Sequence, residues 1–216
     1  MARPREFDET TVLEAAMQCF WARGFGQTSI RDLAEQMGIT GASLYNAFGD
    51  KRSLYRQAFV HYLAQTVQDR VARLEKLPPL TAIRAFFEEI IDRSVDDEQR
   101  RGCMLVNAAL ELAPYDAEFQ ELVAEELSFI EAFFRRCVDA GQKDGTIAGA
   151  LPANGLARLL LSVLIGVRVL ARTRPERVVL EGAANSVLAL LGAGGQPPRP
   201  LAKSRQPSRR RRDTRT

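Results

Sequence analysis

Apolar residues in this chain recur every third or fourth position wherever they cluster, and no run alternates in the two-residue rhythm of a strand. The pattern predicts an all-α protein. Val12, Leu13, Ala16 and Phe20 mark one face of a first helix from about Asp8 to Arg23, stopped by Gly24. Ile30, Leu33, Ala34 and Met37 mark a second, short helix, with Ser29 as its N-cap and Asp32 three residues on. Gly38 ends it. A third short helix follows Thr40 and runs to about Ala47. FGD at 48–50 turns the chain, and Asp50 caps a long fourth helix over 51–76 that Pro78 and Pro79 terminate. Further helices are expected at about 80–95, 101–112, 116–141, 153–173 and 175–191, separated by Pro114, GQKDG at 141–145, Pro152 and Pro175. Three units follow from this reading: an N-terminal three-helix unit over 1–50, a larger helical unit over 51–191, and a disordered basic tail over 192–216.

Composition changes this picture in two ways. A 216-residue chain with 46% hydrophobic and 26% charged residues has the balance of a soluble globular protein with a sizeable core. The longest apolar run, LARLLLSVLIGVRVLA at 156–171, is interrupted by Arg158 and Arg168 and falls short of the roughly 20 residues of a membrane span. MARPREFDETT has no apolar signal region, so a cytoplasmic location without membrane attachment is expected. Cys19, Cys103 and Cys137 are odd in number and far apart, which argues against a disulfide framework. The net charge of +3 is uneven: from Gly192 onward eight Lys/Arg face one Asp, so that segment carries +7 and residues 1–191 carry +3 − 7 = −4. The basic balance is a property of the tail and identifies no partner for the body.

Two short helices joined through MGIT form a helix-turn-helix candidate. Ala34 permits a close crossing, Gly38 supplies the turn, and Ile39 and Leu44 point inward. In such a unit the second helix enters the DNA major groove. Its outward residues are Thr40, Gly41, Ala42, Ser43, Tyr45 and Asn46. Small residues at 41 and 42 admit the bases, Ser43 and Asn46 suit base edges or phosphates, and Thr40 and Tyr45 suit phosphate oxygens. Lys51 adds a cation at the start of the next helix. The pattern alone is equally that of an ordinary helical hairpin. Residues 1–55 hold six Lys/Arg against seven Asp/Glu, no basic footprint.

The text VLEAAMQCFWARGFGQTSI at 12–30, followed by IRDLAEQMGITGASLYNAFGDKRSLY, resembles the tetracycline-repressor (TetR) family of bacterial regulators. The resemblance is dense from about residue 8 to 60. It implies an N-terminal helix-turn-helix DNA-binding domain and a C-terminal helical ligand-binding and dimerisation domain. It adds Ser29 and Arg31 to the DNA-contacting residues named above, and it departs at Asn46, where a histidine is very common. It implies a homodimeric repressor of a palindromic operator, because one such helix reads only a few base pairs. Half-sites one turn of DNA apart lie about 34–36 Å from each other.

The last two helices suit a dimer face, with Leu159, Leu160, Val163, Leu164, Val167 and Leu170 on one and Ala183, Ala184, Val187, Leu188 and Leu191 on the other. The alternative is that these stripes are protomer core. The middle of the chain, rich in aromatics and aliphatics (Tyr62, Phe86, Phe87, Ile90, Met104, Leu105, Phe119, Phe129, Phe133 and Phe134), is expected to hold a pocket for a small-molecule effector. Cys103 is placed in the first turn of a helix beside Arg100 and Arg101, where helix dipole and cations favour thiolate. Similar Gly-Cys text occurs in a branch of the family with cysteine-based sensors of electrophiles or oxidants. An inert Cys103, with an effector-independent or non-covalent regulator, is the alternative. Attack at Cys103 is expected to move the fourth helix and change the spacing of the two reading heads. Cys19 and Cys137 are read as structural.

Rival classes find little support. His61 is the single histidine, and no cysteine or serine can be assigned as its catalytic partner, so a helical enzyme is not expected. Cys and His are too few and scattered for a metal site, and no cofactor is implied. SRRRR at 208–212 offers phosphate contacts that would add salt-dependent affinity for any DNA.

Overall fold

The computed structural model describes residues 8–192. The expected basic tail lies outside the described residues, apart from Gly192.

The helices are α1 (Glu9–Arg23), α2 (Ile30–Met37), α3 (Gly41–Phe48), α4 (Lys51–Leu63), α5 (Asp69–Leu74), α6 (Pro79–Asp96), α7 (Met104–Glu111), α8 (Ala117–Asp144), α9 (Ala153–Thr173) and α10 (Arg177–Leu191). The architecture is all-α. The first four helices start on local chemistry. Asp8 accepts from the amides of Thr10 and Thr11. Ser29 and Asp32 form a complete capping box, Thr40 accepts from the amide of Ser43, and Asp50 accepts from that of Ser53. Each such cap contributes about 1 kcal/mol. Gly38 adopts the left-handed conformation that closes α2.

The structure shifts several sequence-derived boundaries. The expected helix over 51–76 is continuous only to Leu74, and between α4 and α5 it widens into a π-helical stretch over Ala64–Gln68. The Thr66 hydroxyl bonds the Tyr62 carbonyl and Arg70 Nη1 bonds the Thr66 carbonyl, so side chains serve acceptors that the wider turn leaves. The helix expected over 101–112 begins only at Met104, because Arg100 and Gly102 have φ of 52° and 71°. A Cβ on Gly102 would also sit 2.8 Å from Arg172 Cγ. The helix expected to stop near 141 runs on to Asp144. Gly141 lies within it because Ile147 fills the space a side chain would need, and Gly145 is the actual stop.

α8 is the central strut, packed on α6, α7 and α9, while α10 covers α9 and α6. α1 packs on α2 and α4. α9 is long and apolar enough to cross a membrane by length and composition alone. One side of it packs on α6, α8 and α10, and the other side is outward.

Part of the expected dimer stripe is protomer core instead. Leu160, Leu164, Val167, Ala184, Val187, Leu188 and Leu191 are buried inside the protomer. The outward faces carry Leu159 and Val169 on α9 and Val178 and Leu190 on α10, together with Gly155, Gly166 and Gly182, whose Cβ positions meet nothing. Both helices are apolar on more than one side, so periodicity alone could not tell which side faces the core.

An aromatic cluster ties α1 to the helices behind it. Tyr55 is buried with Phe20, Phe25, Phe59 and Phe119 around it, ring centroids 4.9 to 6.2 Å away. Outside the cluster, Arg52 grips Asp116 and Glu118 at 2.6 Å each.

Candidate nucleic-acid interface and effector cavity

The sequence-derived contact residues fall on and around one outward face of the α2–α3 pair. Arg31, Thr40, Ala42 and Asn46 are exposed, and Tyr45 is 53% exposed. Leu44 and Phe48 are fully turned into the core. Thr40 and Ser43 share a hydroxyl contact at 3.0 Å, which holds both oxygens at the start of α3. Gly41 and Ser43 are half-buried, with Gly41 facing Ile30 across the turn. Ser29 is exposed but committed to its capping box. Lys51 lies over the Phe25 ring, 4.3 Å from its centroid, at the rim of this face. The face therefore presents neutral polar groups and small residues, with one cation at either edge.

The turn that leads into α2 is held from the other side of the molecule. Glu111, at the end of α7, accepts from the amides of Phe25 at 3.0 Å and Gly26 at 2.5 Å. Gly24 has φ of 82° and a Cβ there would lie 2.9 Å from the Glu111 carboxylate, so the glycine both permits the turn and admits the clamp. Nothing local in the sequence marks Glu111, because its partners are 85 and 86 residues away. A Glu111→Ala variant is expected to unfold about 1–2 kcal/mol more easily and to bind DNA more weakly, since the turn before α2 loses its anchor. Thermal unfolding and fluorescence anisotropy on a bound duplex measure the two effects.

Behind this clamp lies a cavity of about 310 Å³, within the usual range for small-molecule sites. Apolar groups from α6, α8 and α9, among them Phe86, Ile90, Ile130 and Leu164, form most of its wall. Of the middle-chain residues named from sequence, Tyr62, Phe86, Ile90 and Leu105 line it. Phe87, Met104, Phe119, Phe133 and Phe134 are solid core, and Phe129 is partly exposed. The π stretch places Thr66, Val67 and Arg70 on the wall.

Cys103 lines the cavity, but its setting differs from the expected one. It is the N-cap of α7, and its thiol accepts from the Tyr62 hydroxyl at 3.5 Å. Arg101 is engaged elsewhere: it pairs with Asp97 at 3.0 Å, bonds Gln18, and stacks on Trp21 at 4.0 Å. The cation at the thiol is Arg168, from α9. Burial opposes ionisation of Cys103, but the Arg168 guanidinium, the Tyr62 hydroxyl and the amides of Val106 and Leu105 outweigh it and hold the thiol below its ordinary pKa. The other two cysteines go the opposite way. Burial raises Cys19, and pushes Cys137 up to about 11.

The cavity rim touches α1 directly. Trp21 Nε1 donates to the Gly102 carbonyl at 3.3 Å, and the Trp21 ring meets Tyr62 edge-on at 5.2 Å. Trp21, Arg70, Arg168 and Glu111 were all missed from sequence. Trp21 left a signal as a large aromatic beside the recognised α1 stripe, and Arg168 left one as a charge inside the longest apolar run.

Two family models describe this chain. Residues 12–58 match the bacterial regulatory proteins of the tetR family, and residues 79–187 match the tetracyclin repressor-like C-terminal domain. The chain belongs to the TetR family. It is a DNA-binding transcriptional regulator. It is 30% identical over 196 residues to YezE of Bacillus subtilis, described as an uncharacterized HTH-type transcriptional regulator, covering 88% of this chain and all of that one. It is 25% identical to the transcriptional repressor ComR of Escherichia coli, over 87% of this chain and 90% of ComR. Among solved structures, the TetR-family regulator CifR, in a form with three cysteines replaced and bound to 26-base-pair operator DNA, superposes with a TM-score of 0.78. Identity there is 34%, over 88% of this chain and all of CifR. The relatives are transcriptional regulators. Among the described residues no cluster of His, Cys, Asp and Glu could hold a metal ion.

Proposed function

We propose that two copies of this TetR-family chain clamp a palindromic operator as a repressor, and that a small molecule in the cavity releases it. The 1–50 unit is the reading head, with Thr40, Gly41, Ala42, Ser43, Tyr45 and Asn46 in the major groove, Arg31 and Lys51 on flanking phosphates, and Ser29 beside the backbone with its hydroxyl held by Asp32. The 51–191 unit senses the effector and dimerises. The observation that carries the reading is the exposed, capped α3 face on a fold whose relative CifR is bound to operator DNA. The outward faces of α9 and α10, small and apolar, form the dimer contact. Selection of bound duplexes from a random pool tests this: a palindrome is expected, and failure to enrich any sequence overturns it.

Cys103 is the point of attack for electrophiles. Its thiolate, beside Arg168, faces a cavity that admits small molecules. Release passes through α1 as well as α4, since the Gly102 carbonyl bonds Trp21 and α7 carries the Glu111 clamp. A Cys103→Ser variant is expected to stay on the operator when a quinone releases the unmodified protein, read by anisotropy. Equal release from both would leave the cavity as a non-covalent site and Cys103 as inert.

A further inference from the structure

The cavity buries two arginines: Arg70 has a carboxylate partner in Glu89, and Arg168 has none among the described residues. Arg168 is only 7% exposed, yet none of its contacts among the described residues is a carboxylate. Its Nη groups bond the Ser94 hydroxyl and the Gly102 carbonyl, its Nε has no hydrogen-bond partner, and the ionisable groups beside it are the Cys103 thiol and the Tyr62 hydroxyl. Arg70, 3% exposed, lines the same cavity and shares Glu89 with Arg73. Burial lowers the Arg70 pKa, and repulsion from Arg93 and Arg168 adds to this. Five arginines (70, 93, 100, 101 and 168) and only two acids, Asp96 and Asp97, line the cavity. Asp97 is already taken by Arg101. A Cys103 thiolate is itself a counter-charge for Arg168, so a ligand anion at Arg168 takes the place of that thiolate and meets Cys103 as the thiol.

A buried, unbalanced guanidinium is costly unless an anion completes it. The walls around it are apolar, so the complement has two parts. We propose that the ligand of this cavity is an amphiphilic monoanion, a carboxylate on an apolar body, with its head at Arg168 and its body among Phe86, Ile90, Ile130 and Leu164. A planar carboxylate suits a guanidinium better than a neutral hydroxyl does, because each bond to it is charge-assisted. The exposed Arg93 and Arg100 at the rim draw the anion toward the opening. This inference rests on the reading of the cavity as the effector site and names the class of effector.

Trp21 is the single tryptophan of the chain and lines the cavity, so its emission reports occupancy without DNA. The test is titration of the full chain with decanoate, 1-decanol and decylamine, followed by operator anisotropy with decanoate. Decanoate is expected to bind at least about tenfold more tightly than decanol, and decylamine more weakly than either. Arg168→Met is expected to erase the preference for decanoate. Should that variant fail to fold, the exposed Arg93→Gln is expected to reduce the preference about threefold. Equal binding of decanoate and decanol overturns the anion site and leaves the cavity as an effector pocket. No emission change with any probe also overturns it. Decanoate binding that never releases operator leaves the anion site standing and overturns the effector reading instead.

Discussion

Replacing Ala42 with glutamate is expected to abolish operator binding while leaving the fold intact. Ala42 is exposed on the first turn of α3, with nothing of the protein packed over it. Glutamate there is a good helix former and its charge sits favourably near a helix N-terminus, so stability holds or rises slightly. In the proposed groove contact the same side chain carries a negative charge and four extra heavy atoms to where the backbone must approach the bases. Losing one good base contact costs about 1–3 kcal/mol. In the proposed dimer the change occurs twice, so the loss is about 2–6 kcal/mol, or roughly thirtyfold to more than ten-thousandfold in affinity. Anisotropy with the selected duplex measures the affinity, and circular dichroism checks the helices. Binding within threefold of the unmodified protein would remove α3 from the groove.

The second large effect is on stability and coupling together. Phe119→Ala is expected to lower the unfolding free energy by about 3–5 kcal/mol, the usual cost of emptying a buried phenylalanine site. Phe119 is fully buried, with the Tyr55 ring 5.4 Å away, the Phe59 ring 6.1 Å away and the Arg52 guanidinium over its face at 5.5 Å. No neighbour can collapse into the gap cheaply, because Tyr55 is also held by Phe20 and Phe25. For a chain of this length the melting temperature should fall by about 6–20 °C. The signature differs from that of Ala42→Glu. Below its melting temperature the Phe119→Ala protein should still bind operator, because α3 is untouched. It should respond less to effector, because α8 no longer grips the aromatic cluster that seats α1 and α4. Differential scanning calorimetry and operator release report the two halves. A variant as stable as the parent would show that the cluster is loosely packed.

These two sites show which features could be read from the chain alone. Ala42 sits in a stretch whose structure is decided within a few residues. Ser29 with Asp32, Gly38, Thr40 and Asp50 set helix starts and stops by contacts no more than five positions long, so the text announces them. Phe119 could be recognised as apolar, but its partners Tyr55 and Phe59 are some sixty residues earlier, and no periodicity states that pairing. The same distance hid Glu111, which holds the turn at Phe25 and Gly26.

Cys103 lies between these cases. The sequence marked it as a candidate through the Gly-Cys pattern and two neighbouring arginines. The arginine that matters is instead Arg168, which arrives from α9 and bonds the Gly102 carbonyl next to the thiol. Neighbours in sequence were turned away because the positive φ at Arg100 and Gly102 redirects the chain, sending Arg101 onto Trp21 and Asp97.

By itself the sequence determined the all-α class, the helix-turn-helix, the outward placing of Thr40, Ala42, Tyr45 and Asn46, and the family, because apolar period, capping and glycine turns act over one or two helical turns. Only the tertiary structure decided where empty space lies, which buried cations line it, and which sides of α9 and α10 remain outward. Each of these depends on how distant helices meet: a cavity is space that α6, α8 and α9 leave unfilled, and a charge is unbalanced only when no distant carboxylate reaches it.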